Sequence, residues 1–166
     1  MGLDTYVDIT FKRNGEKVTL PIVYMRKCYS MARNLSDTLC GGGFDIVLDT
    51  VMTAEDIKNY LEDLRTAYQD EIDTLCSVPE GEWASNYFDS IWELPAYLQI
   101  LHRCLCKIDL TLLFFQGHID FFDLVDWFEE NSQLSDKTLQ TDANNDEEGE
   151  LGAKDFEYEF YFCNSY

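Results

Sequence analysis

The 166-residue chain fits one ordinary domain, residues 1–166, long enough to bury about two thirds of its unfolded surface around a single core. Its 32 Asp and Glu against 12 Lys and Arg give a formal charge of -20, which argues against binding to nucleic acid or an anionic membrane and favours cationic partners. A hydrophobic content of 46%, with 14% aromatic, excludes a disordered acidic chain.

The first strands are legible from alternation. Val7, Ile9 and Phe11 alternate with polar neighbours, as do Val18, Leu20 and Ile22, so residues 4–24 are expected to form a β-hairpin turning at Asn14-Gly15. Pro21 points to an edge strand or a bulge. Tyr24 to Leu39 reads as a helix with Cys28, Met31, Ala32 and Leu35 on one side. Cys40 and three glycines end it, and the Phe44–Leu48 run supplies a short strand. The glycines lack the Lys and hydroxyl residue of a phosphate-binding loop, so a turn is the better reading.

Thr53 to Leu75 is the clearest helix and has two contrasting faces. Ile57, Leu61, Leu64, Tyr68 and Leu75 fall within about a 60° arc, the stripe of a helix lying on a core. Glu55, Asp56, Glu62, Asp63, Asp70 and Asp73 share an opposite arc of about 120°. Thr53 followed by Asp56 resembles a capping box, with Glu55 suited to the positive helix end.

Pro79 breaks this helix, and an aromatic segment from Trp83 through Tyr87, Phe88 and Trp92 follows. Pro95 starts or kinks the next helix. Ala96 to Phe115 is apolar on most sides, as a covered central helix would be, and Gly117 interrupts it. His118 to Asn131 then repeats the two-faced pattern: Phe121, Leu124, Val125 and Phe128 make a core stripe, while Asp120, Asp123, Asp126 and Glu130 lie elsewhere. Trp127 falls among these acids and is a candidate interface anchor. Residues 142–152 have the composition of an exposed acidic loop, and Phe156 to Phe162 alternates as a terminal strand. The expected fold is α+β: a small, mostly antiparallel sheet built from both chain ends and covered by three to five helices.

The opening MGLDTY, the Tyr24-Met25-Arg26-Lys27 stretch and the closing FYFCNSY resemble a family of small uncharacterised phage and bacterial proteins, whose members begin MGLD, carry a Tyr-Trp-Arg-Lys stretch and end in Ser-Trp. Thr5, Met25 and Tyr166 depart from that pattern. The resemblance implies a viral or mobile-element context and no particular mechanism.

Catalytic and metal readings are weaker. His102, Cys104 and Cys106 are spaced two apart on a helix, where neighbours at that spacing point about 200° from each other, a geometry that disfavours one shared zinc ion. His118 and Asp120 lack a second motif. Pairs such as Glu62-Asp63 and Glu129-Glu130 arise by abundance among 32 acids. No enzyme activity and no cofactor is expected. Six cysteines without a paired framework, and a start without an apolar signal core, suggest a reducing cytoplasm, that of the host cell if the chain is phage-encoded.

The acid is distributed unevenly. Six basic residues against three acidic ones precede Asn34, and between Thr66 and Asp136 only Arg103 and Lys107 face fourteen carboxylates. Rows of carboxylates offer a DNA-binding groove the sign of charge it is built to receive. The charge pattern therefore resembles acidic DNA-mimic inhibitors that block restriction or CRISPR enzymes. The expected partner is a host nucleic-acid-binding protein or ribonucleoprotein, met through its basic surface by Glu55, Asp56, Glu62, Asp63, Asp70, Asp73, Asp120, Asp123, Asp126, Trp127 and Glu130. The alternative is an interaction or assembly module whose acidity serves solubility and whose aromatic surface makes the contacts.

Overall fold

The computed structural model describes residues 4–40, 45–77, 94–131 and 151–165. The triple glycine, the aromatic segment Trp83 to Trp92 and all but the end of the acidic loop lie outside them. Strands β1 (Asp4–Arg13) and β2 (Glu16–Arg26) pair antiparallel from Arg13 opposite Glu16 to Asp4 opposite Arg26. Asn14 at φ 54° and Gly15 at φ 82° supply the two left-handed residues that a tight hairpin turn requires. The register shifts once: Val7 faces Val23 while Asp8 faces Pro21, leaving Ile22 as an extra residue. This bulge buries both Ile22 and Val23 and sits beside Pro21, on a strand at the sheet edge where a missing N–H is tolerated.

Helix α1 (Tyr29–Cys40) and strand β3 (Asp45–Met52) follow, and the chain returns as β4 (Glu157–Ser165) between β1 and β3. The sheet order is β2-β1-β4-β3, and every neighbouring pair is antiparallel. The expected α+β fold with a sheet from both chain ends is thus present, and the C-terminal strand is one of its two interior strands.

One face of this sheet is closed, and the other is open among the described residues. Val7, Ile9, Phe11, Val18, Leu20, Tyr158, Phe160 and Phe162 are buried on the closed face. Helix α2 (Ala54–Ser77) packs on it: Tyr60 stacks on Phe160 at 4.7 Å and the Tyr68 hydroxyl donates to Met25 Sδ at 3.2 Å. Helix α2 therefore crosses from β4 to β2. Helix α3 (Leu94–Phe115) runs antiparallel beside it, tied by Tyr97 to Glu71 and by Arg65 to Asp109. Pro95 lies in the first turn of α3, where its missing donor costs nothing. Among the described residues the core is one contiguous cluster spanning sheet and helices.

Several boundaries differ from the sequence reading. Tyr24 to Arg26 belong to β2 and not to a helix, because they continue the β1 ladder opposite Tyr6, Thr5 and Asp4; Lys27 at φ 58° turns the chain before α1 begins. Helix α4 (Phe121–Asn131) starts three residues after His118. Gly117, at φ 84°, closes α3: its N–H bonds to Phe114 at 3.0 Å and that of His118 to Leu113 at 2.9 Å, a Schellman ending. Helix α3 is also less covered than expected, since Gln99, His102, Arg103, Cys106 and Leu113 are exposed along one side.

Candidate interaction surface

The apolar stripe of α2 is buried without exception: Ile57, Leu61, Leu64, Tyr68 and Leu75 have no measurable exposure. A helix pinned by that stripe must turn the opposite arc to solvent, and Glu55, Asp56, Glu62, Asp63, Asp70 and Asp73 are all exposed. From Glu55 to Asp73 the six carboxylates span about 27 Å of axis at ~1.5 Å per residue, roughly one charge per 5 Å. A single strand of B-DNA carries one charge per ~3.4 Å of axis, so the densities agree within a factor of about 1.5.

Some of these acids also hold the helix. Asp56 completes a capping box with Thr53, each side-chain oxygen accepting the other residue's backbone N–H at 3.2 Å. Asp73 accepts from Gln69 Nε2 at 2.9 Å. Glu55, Glu62, Asp63 and Asp70 make no side-chain hydrogen bond or ion pair among the described residues, and Asp70 and Asp73 lie toward the negative end of the helix dipole, where acid is disfavoured. Beside the row, Arg65 pairs with Asp109 of α3 at 2.7 Å, its charge cancelled locally.

The second acidic helix is differently used. Asp120 is the N-cap of α4: its Oδ1 accepts the N–H of Asp123 at 2.8 Å, and Asp123 Oδ2 lies 3.5 Å from the N–H of Asp120. Half of the proposed second row is therefore a capping box, while Asp126 and Glu130 are exposed. Trp127 is half-buried, packed on the core with its ring 5.4 Å from that of Phe128. Helix α4 follows the end of α3 that lies beside the first half of α2, since Asp109 pairs with Arg65.

No family model, curated protein or solved structure matches the chain. Its own chemistry carries the reading. Among the described residues, no group of three His, Cys, Asp or Glu could hold a metal ion, and no helix is long and apolar enough to cross a membrane.

Two features escaped the sequence. Glu71 is buried, its Oε2 accepting from the Ser30 hydroxyl and from Tyr97, each at 2.9 Å, so one carboxylate joins α1, α2 and α3. The signal was available: Glu71 lies seven residues after Leu64, three after Tyr68 and four before Leu75, at the edge of the apolar stripe. Burial, reinforced by this carboxylate, pushes the Tyr97 hydroxyl well above its ordinary range. Nearby, burial beside Cys104 raises the Cys28 thiol to about 12, and burial raises Cys104, so neither is an activated nucleophile. Cys76 and Cys106 are exposed.

The second missed feature is the open sheet face. Tyr6 and Tyr24 lie opposite each other with rings 5.3 Å apart, and Tyr24 and Tyr161 are exposed, at 49% and 36%. Alternation had marked the buried face of these strands but could not say whether helices would cover the other one too.

Proposed function

We propose that this chain is a non-enzymatic, phage-type inhibitor that lays a row of carboxylates into a cationic groove of a host defence nuclease complex, of the CRISPR or restriction kind, and excludes its nucleic acid. The observation that carries this reading is the α2 row. Six carboxylates are exposed along one side of a 24-residue helix, and four of them serve no side-chain hydrogen bond or ion pair among the described residues. Their mutual repulsion destabilises the fold, so a contact made elsewhere explains them better than packing does. Asp126 and Glu130 extend the negative surface at one end, with Trp127 as its partly buried anchor.

The test is capture from a bacterial lysate at low and high salt, using wild-type protein and a variant with Glu62, Asp63 and Asp70 reversed to Lys. A nucleic-acid-processing complex retained at low salt, released at high salt and lost with the variant is the expected outcome. A second reading is favoured by Tyr6, Tyr24 and Tyr161 on the open sheet face: an interaction module that binds through aromatic surface, tyrosine being frequent at interface hot spots. On that reading the captured partner survives both high salt and the charge reversal.

A further inference from the structure

Against the acidic body stands a groove of about 730 Å³ at the hairpin tip, where Lys12, Arg13 and Lys17 meet Lys154 across the turn at Asn14-Gly15. Four of the chain's twelve cations thus fall among ten lining residues, where an even spread over 166 would place fewer than one. The lining also holds Glu16, Asp155 and Glu157, so its charge is +1 in a molecule of -20. Asp155 is already engaged, its Oδ2 accepting the N–H of Gly152 at 2.7 Å, and Lys12 is paired with Glu159. Lys17 and Lys154 are exposed and have no ion-pair partner among the described residues. Around Gly15 a side chain would meet nothing within 4 Å, so the mouth of the groove is open.

We propose that this groove is a binding site for a compact oligophosphate anion, held by Lys17 and Lys154 with Lys12 and Arg13 at its walls. Lysine ammonium groups recognise phosphate as point charges, and an arginine adds a planar fork. The surroundings set the size of the ligand. Phe156 in the lining touches Phe121 at 4.6 Å, the first residue of α4, so the acidic cap of Asp120 and Asp123 begins close beside the groove. At physiological salt a charge is screened beyond about 8 Å. A two- or three-phosphate anion lies within the cationic lining, whereas the further phosphates of a nucleic-acid strand would run onto acidic surface. The site is independent of the carboxylate row and of the function proposed for it.

The experiment is a titration of the isotope-labelled full chain with sodium pyrophosphate, followed by amide NMR shifts at matched ionic strength. Saturable shifts at residues 12–17 and 154–157 are expected, weakened about tenfold or more in the Lys17→Ala/Lys154→Ala variant, in line with loss of two charge-assisted contacts. Both lysines are exposed, so the rest of the variant's spectrum should be unchanged and reports its folding. An eight-nucleotide single strand should give weaker shifts than pyrophosphate. Absence of saturable shifts at the tip, an unchanged affinity in the double variant, or a strand that binds as tightly as pyrophosphate would each overturn the proposal.

Discussion

Helices α2 and α4 carry the same sequence pattern, an apolar stripe opposed by carboxylates, yet the acids do different work in the two. On α4, Asp120 and Asp123 close the first turn by capping each other's N–H groups, a local role that accounts for half the row. On α2 the capping role ends with Asp56, and Glu62, Asp63 and Asp70 stand beyond the first turn without partners among the described residues. An acidic residue near a helix start thus has capping available as a structural explanation, whereas Glu62, Asp63 and Asp70, two or more turns in, do not, and the proposed surface rests on them.

Substitutions can sharpen that contrast, beginning with the stripe that orients the α2 row. Leu64→Ala removes a fully buried side chain and should cost about 2–5 kcal/mol in denaturant unfolding. Glu71→Ala comes next: it leaves the Tyr97 and Ser30 hydroxyls without their acceptor and should cost about 1–3 kcal/mol, with Glu71→Gln losing less because the amide oxygen still accepts. Asp120→Ala should lower stability by about 1 kcal/mol through loss of the α4 cap, whereas Asp126→Ala should stay within about 0.5 kcal/mol of wild type. Smallest of all, Glu62→Gln with Asp63→Asn should leave stability unchanged or raise it slightly by relieving repulsion. A loss above about 1 kcal/mol there would mean the row is structural after all.

Alkaline pH separates the buried interior from the exposed rows. Burial raises Cys28 from 9.0 to about 12 and lifts Tyr68, Tyr97 and Tyr158 above 10.0. Between the unfolded and folded values the unfolded state holds fewer protons, so stability falls as pH rises. It should be insensitive to these groups below about pH 9 and decline above it, by up to about 1.4 kcal/mol per pH unit for each group. Chemical denaturation from pH 8 to 11 measures this; a flat profile would show that the four groups are not excluded from water.

Most of the fold was legible because alternation and helical periodicity report burial directly. The Asn14-Gly15 hairpin, the bulge beside Pro21, the α2 stripe and the Thr53 cap follow from residues close together in sequence. The misplaced starts of α1 and α4 have one cause: pairing of Tyr24 and Met25 with β1, and capping by Asp120, outweigh a helical wheel that runs smoothly through both places. The position of β4 between β1 and β3, the open tyrosine face and the meeting of Lys154 with the hairpin tip are long-range facts that no local pattern encodes. Of the candidate surface, the sequence identified which acids share an arc. It could not distinguish the capping acids of α4 from the unengaged ones of α2, since both look alike on a wheel.

The most direct test of the carboxylate row is the salt dependence of affinity for the captured partner, compared between wild type and the Glu62→Lys, Asp63→Lys, Asp70→Lys variant. The account predicts that wild-type affinity falls steeply from about 50 to 500 mM salt as the charges are screened, and that the variant binds at least about tenfold more weakly at the low-salt end. A wild-type affinity that stays level across that range, or a variant that binds as well as wild type, would contradict it.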